Sequence, residues 1–193
     1  MSLLRAFIAV ELPAELQQKV HKAIANFRRG IDPLVRWTAA EHMHLTLKFL
    51  GDVSQPNVEF LIQMLRTQAE LVSPFVIQLG GLGSFPGPKR PRVLYIGIQA
   101  PAALGTLQRE IESACRRLGY EAEERPFSPH LTLGRVKQNL SASDQQNIRR
   151  AMDGTQVDVL GSARIDSVHL YKSELRPSGA VYTRLYSAPL RKI

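Results

Sequence analysis

The sequence predicts an α+β fold: two pseudo-symmetric lobes, each an antiparallel sheet with helices on its outer side, facing a central cleft. Three observations point to it. A strand running into a proline-started helix opens the chain (Phe7-Ile8-Ala9-Val10-Glu11-Leu12-Pro13-Ala14) and recurs half a chain later (Val93-Leu94-Tyr95-Ile96-Gly97-Ile98-Gln99-Ala100-Pro101-Ala102). The same tetrapeptide follows each copy, first as His44-Leu45-Thr46-Leu47 and then as His130-Leu131-Thr132-Leu133. Strand–helix alternation alone suggests a doubly wound parallel sheet. Several strands near the end of the chain follow one another without helices, however, and that favours antiparallel pairing.

The first apolar stretch, interrupted by Arg5, is too short for a membrane span or a signal-peptide core and reads as a buried strand. A helix is expected over residues 14–29, with Leu16, Val20, Ile24 and Phe27 on one face. Proline near a helix start is favourable because its missing N–H would be unpaired there anyway. The first tetrapeptide lies in an alternating strand over residues 43–49, and a second helix is expected at 56–71. A strand at 75–79 runs into Gly80-Gly81, and the glycine- and proline-rich residues 80–91 read as a loop. The second copy repeats the plan: strand, helix over 102–118, tetrapeptide strand, helix over 143–152, and a strand at 156–160 before Gly161. Two further strands are expected near 164–173 and 180–187, joined by a turn at Arg176-Pro177-Ser178-Gly179. The whole chain, 1–193, is therefore expected to be a single bilobal domain of two diverged repeats, approximately 1–90 and 91–193.

Composition is that of an ordinary folded protein, with 44% hydrophobic and 22% charged residues. The formal charge of +8 favours anionic partners, and the basic residues occur as scattered pairs such as Arg28-Arg29 and Arg116-Arg117, which suits a folded basic surface. Cys115 is the only cysteine, so no internal disulfide forms, and a reducing cytoplasm is the expected setting. It sits in the helical pattern beside Ile111 and Leu118 and reads as a buried thiol, not a nucleophile.

Side chains alternate across a strand. Met43, Leu45, Leu47 and Phe49 should therefore face the core, leaving His44, Thr46 and Lys48 on the open side; likewise Leu131 and Leu133 point in while His130 and Thr132 stay open. A two-fold arrangement of the halves brings two imidazoles and two hydroxyls around one small site. Histidine both takes and gives protons near neutrality. Phosphodiester hydrolysis needs a base for water and an acid for the leaving oxygen, placed on opposite sides of phosphorus. Threonine hydroxyls can donate to the non-bridging oxygens. A cyclic phosphodiester already has its ring closed, so no internal 2′-hydroxyl needs activation and two histidines suffice without a metal. A single His-Leu-Thr-Leu is an ordinary strand; two copies at matching places in a tandem repeat argue for a shared task.

The duplicated pattern, in the contexts Glu41-His42-Met43-His44-Leu45-Thr46-Leu47-Lys48-Phe49-Leu50-Gly51 and Phe127-Ser128-Pro129-His130-Leu131-Thr132-Leu133-Gly134-Arg135, resembles the 2H phosphoesterase superfamily and, within it, the RNA 2′,3′-cyclic phosphodiesterase (2′-5′ RNA ligase) branch. Arg36-Trp37, Gly83-Ser84-Phe85-Pro86, Ser173-Glu174-Leu175 and Pro177-Ser178-Gly179 support the likeness. The resemblance implies a bilobal fold with both motifs in the cleft and hydrolysis of a 2′,3′-cyclic phosphate to a 2′-phosphomonoester. It implies His44 as proton donor to the leaving 3′ oxygen, His130 as proton acceptor from water, and Thr46 and Thr132 as phosphate-binding groups. The symmetry of the motifs leaves the acid/base order open from the residues alone. Reversal of the reaction, joining RNA ends through a 2′-5′ bond, is allowed by the same resemblance.

Arg135 and Lys48 are the candidates for RNA contact. Strict alternation puts Arg135 with the leucines, so it must lie at the strand's end to reach phosphate. Trp37, Phe85 and Tyr182 are aromatics able to stack a base, with Trp37 read as core. His42, one step along the same face from His44, invites a zinc site with His130 or His169. No acidic ligand sits in either motif, so no metal and no cofactor is expected. His21 and His169 carry no functional case. The expected partner is RNA with 2′,3′-cyclic phosphate ends, tRNA fragments among them, acted on by a monomer with no membrane association. The rival is a non-catalytic module that binds RNA ends or cyclic nucleotides.

Overall fold

The computed structural model describes residues 3–176 and 179–191. Every strand pair in it is antiparallel, and the strands form two sheets. In chain order the strands are β1 (Leu3–Glu11), β2 (Val35–Trp37), β3 (His44–Ser54), β4 (Phe75–Phe85), β5 (Val93–Gln99), β6 (His130–Val136), β7 (Gly161–Ile165), β8 (Ser167–Arg176) and β9 (Gly179–Pro189). One sheet has the order β3-β1-β8-β9 and the other β2-β6-β5-β4-β7. The helices are α1 (Ala14–Ala23), α2 (Ala25–Ile31), α3 (Gln55–Glu70), α4 (Ala102–Arg117) and α5 (Ala142–Asp153). Among the described residues no helix is long and apolar enough to cross a membrane.

The predicted α+β class holds, and four elements differ from expectation for identifiable reasons. The first helix is broken at the buried Ile24, whose φ of −92° and ψ of 3° leave the helical well, giving α1 and α2. Residues 80–85 are strand, not loop: Gly81, at φ +76°, absorbs a bulge between Gly80 and Leu82, and β4 continues beyond it. Residues 156–160 are not a strand, although Val157 and Leu160 each make one backbone bond to β4; the ladder begins only at Gly161, opposite Leu79. The strand expected at 164–173 is two strands, because the chain leaves one sheet at Ile165 and enters the other at Ser167. Pro177 and Ser178 of the expected turn lie outside the described residues.

The two halves of the sequence interleave. Strands β8 and β9, from the second half, complete the sheet of β1 and β3, while β4 from the first half completes the sheet of β5 and β6. Helix α3 packs on β3, β8 and β9, α4 packs beside it and on β3, and α2 packs against α5. Apolar helix residues such as Leu61, Leu65, Leu107 and Ile111 join the sheet residues Ile8, Val10, Ile96 and Leu131 in one continuous core. That core leaves the opposite faces of β3 and β6 free, and the two strands approach each other across the cleft.

Candidate active site

Each tetrapeptide strand carries a bulge at the same place. Between β1 and β3, Ile8 is opposite Lys48 but Ala9 is opposite Thr46, so Leu47 is the extra residue. Between β5 and β6, Leu94 is opposite Gly134 but Tyr95 is opposite Thr132, so Leu133 is the extra residue. A bulge puts two residues of one strand against one of the other and resets the alternation beyond it. Before it, His44, Thr46, His130 and Thr132 share the open face as expected. After it, Phe49 and Arg135 point into the cleft while Lys48 and Gly134 turn inward.

This corrects the reading of Lys48 as an RNA contact. Lys48 is 5% exposed, and its Nζ donates to the Glu112 carboxylate at 2.8 Å and to the Glu121 carbonyl. Phe49, expected in the core, is instead 64% exposed and lines the cleft. Gly134 is required where the first copy has lysine: a Cβ there would lie 2.8 Å from the Arg36 carbonyl oxygen and 2.7 Å from Cγ1 of Val35, blocking β2.

The cleft, about 240 Å³, is lined by both histidines, both threonines and Arg135, together with Arg5, Phe7, Thr38, His42, Phe49, Ser173 and Tyr182. The histidines are held alike. Nδ1 of His44 is 2.8 Å from the His42 carbonyl oxygen, and Nδ1 of His130 is 2.7 Å from that of Ser128. A carbonyl only accepts, so each Nδ1 carries the proton and each Nε2 is the atom left to exchange one. Aromatic rings complete the seats. His44 stacks on Phe7 at 4.7 Å with Tyr182 edge-on at 5.2 Å, and His130 meets Phe85 edge-on at 4.9 Å.

Burial lowers the pKa of both imidazoles, that of His44 to about 4, because the apolar surroundings disfavour the charged form. The smaller contributions differ. The carbonyl bond to Nδ1 favours the imidazolium in both, but Glu11 also favours it at His44, where His42 opposes it, and Arg135 opposes it at His130. Glu11 is the cross-strand partner of His44, whereas Gly97 stands opposite His130.

A model of the 2′-5′ RNA ligase superfamily matches residues 14–177. The chain belongs to that superfamily. This superfamily member is 34% identical over 179 residues to the RNA 2′,3′-cyclic phosphodiesterase of Methanothermobacter thermautotrophicus, with 93% of this chain and 95% of that one covered. To the protein of the same name from Archaeoglobus fulgidus it is 31% identical, covering 94% and 98%. Its fold is similar to that of E. coli LigT complexed with 3′-AMP, at TM-score 0.75, 27% identity and coverage of 99% and 100%.

Several residues of this superfamily member's cleft escaped the sequence reading. Phe49 was hidden by the bulge. Arg5, Phe7 and Ser173 come from β1 and β8, whose pairing brings Arg5 opposite Ser173. Thr38 is brought in by a backbone bond from its N–H to the Leu133 carbonyl at 2.8 Å. Of the residues weighed earlier, Tyr182 and His42 line the cleft, while Trp37 packs edge-on against Phe27 behind the sheet. His169, 4% exposed, is not among the cleft-lining residues, and His21 bonds Arg28 at 3.0 Å.

Proposed function

We propose that this protein hydrolyses RNA 2′,3′-cyclic phosphodiester ends to 2′-phosphomonoesters, with His44 as proton donor and His130 as proton acceptor. The observation that carries the proposal is a cleft lined by two imidazoles from two different sheets, each with Nδ1 tied to a carbonyl and Nε2 left for proton exchange. His130 Nε2 takes a proton from water as the oxygen bonds to phosphorus. The P–O3′ bond breaks on the opposite side, and His44 Nε2–H protonates the departing 3′ oxygen, leaving the phosphate on the 2′ oxygen. Thr46 and Thr132 donate to the non-bridging oxygens as charge grows there, and Arg135 contacts the RNA.

The order of acid and base is the one the family resemblance implies. Glu11 near His44 and Arg135 near His130 lean the same way, while burial, the largest cause at both, acts against the charged form and holds the His44 pKa to about 4. Both steps are proton transfers, and among the described residues lining the cleft there is no carboxylate or thiolate to recruit a metal, so the proposed reaction uses none. The names of the relatives in the preceding subsection support RNA as substrate. tRNA fragments ending in a cyclic phosphate offer the same group, and one chain in the cytoplasm carries all the machinery. Run in reverse, with a 5′-hydroxyl end in place of water, the site forms a 2′-5′ bond.

The deciding experiment incubates the protein with an oligonucleotide bearing a terminal 2′,3′-cyclic phosphate, with and without EDTA, and identifies the product. A 2′-monoester formed equally in both samples is expected. A 3′-monoester, or loss of activity with chelator, overturns the mechanism.

A further inference from the structure

We propose that Arg36 and Arg135 together form a second phosphate subsite, for the phosphate on the 5′ side of the terminal nucleotide, so that the enzyme selects oligonucleotide ends over cyclic mononucleotides. The proposal rests on the cyclic phosphodiesterase reading and sharpens its substrate class. It starts from strand register. The short edge strand β2 pairs with β6 so that Arg36 lies directly opposite Arg135. Directly opposed residues in an antiparallel pair project from the same face of the sheet, and Arg135 lines the cleft. Arg36 therefore stands on the cleft face one strand further out. Its neighbours confirm the alternation: Val35 is buried and Trp37 packs behind the sheet against Phe27.

Two like charges directly opposite each other are destabilising. Both side chains are exposed, and among the described residues neither guanidinium is within ion-pair distance of a carboxylate. A pair of guanidinium forks on adjacent strands, left unneutralised at the margin of an anion-binding cleft, matches a phosphate bound by both. The same row of the sheet continues from Arg135 through Val93 to Phe85, whose ring touches His130 edge-on at 4.9 Å. The arginine pair thus lies at the outer edge of the sheet that carries His130, on a track leading outward from the cleft. The next phosphate of an RNA strand would follow that track.

Wild type, R36Q and R36K are compared on two substrates, adenosine 2′,3′-cyclic phosphate and the dinucleotide ApA ending in a 2′,3′-cyclic phosphate. In parallel, Kd is measured for the corresponding products, adenosine 2′-phosphate and ApA ending in a 2′-phosphate. In wild type the dinucleotide is expected to be favoured on the order of tenfold or more in both kcat/KM and Kd, as suits a charge-assisted contact. R36Q should bring both ratios toward one and make log Kd for the dinucleotide less steep in log salt by about 0.7; R36K should restore part of the preference. A ratio that R36Q leaves unchanged, a loss shared equally by both substrates, or no preference in wild type overturns the subsite. Failure of wild type to turn over either substrate would instead sink the phosphodiesterase reading, and the Kd ratios would still decide the role of Arg36.

Discussion

His44 and His130 are built by one local device used twice: a strand histidine whose Nδ1–H is captured by the carbonyl two residues earlier. The device sets the tautomer, and only the structure shows it, because every histidine has a carbonyl two residues upstream whether or not its ring reaches it. Replacing either histidine by alanine should lower kcat/KM by a factor on the order of 10²–10⁴ while affinity for a 2′-phosphate product is retained, as measured by steady-state kinetics and calorimetry. A fall in affinity alone would mark a binding module. What the residues could not reveal is the electrostatic difference between the two, since Glu11 and Arg135 reach their histidines only through strand pairing and the bulge. That difference has a pH signature. Burial holds both pKa values below 6.5, with His44 at about 4, so the free enzyme carries its single active proton on the acid side of neutrality and kcat/KM should peak there. A bound anionic phosphate favours the imidazolium, so kcat should peak at a higher pH than kcat/KM. Coincident profiles would count against buried histidines as the proton carriers. Arg135 lowers the His130 value, so R135Q should move the limb that His130 sets toward higher pH.

Among elements, the matched bulges at Leu47 and Leu133 do most to shape the site, and they were not legible beforehand. Alternation is a property of one strand, whereas a bulge is a mismatch between two, so no pattern within residues 44–50 announces it. The one hint was the unequal pair Lys48 and Gly134 at equivalent positions, which shows that these side chains do not share a common outward role. The inward turn puts Lys48 against Glu112 of α4, with side chains 4% and 17% exposed, and ties the His44 strand to that helix. Removing one partner of a buried ion pair leaves the other charge uncompensated, whereas replacing both by apolar groups is often neutral. K48M should therefore cost about 3 kcal/mol in urea unfolding, and K48M combined with E112L should recover most of it. An equal or larger loss in the double variant would show that the pair contributes more than charge compensation.

For the whole molecule, the interleaving of halves matters most. We propose that residues 1–193 form one folding unit descended from repeats near 1–90 and 91–193, because each sheet takes strands from both halves and neither half completes a sheet by itself. Stability should then respond as a unit to pH. The His44 pKa lies near 4 when folded against 6.5 when free, so the unfolded chain takes up protons first as pH falls. The sign is fixed: the contribution is fully present above pH 6.5, is lost progressively down to about pH 4, and amounts to about 3 kcal/mol. His130 and His169 act in the same direction. Thermal unfolding should show a falling Tm from pH 7 to pH 4.5, with a shallower fall in H44N; identical slopes would refute the assignment to His44.

The sequence by itself determined the α+β class, most of the helices, the repeat and the two histidine–threonine pairs, because period, punctuation and an exact tetrapeptide are local signals. Tertiary structure alone decided which sheet each late strand joins, that Phe49 and Arg135 face the cleft while Lys48 is buried, and that Arg36 stands beside Arg135. Those outcomes depend on register between strands far apart in the chain, and register is set by the joint packing of both partners and written in neither.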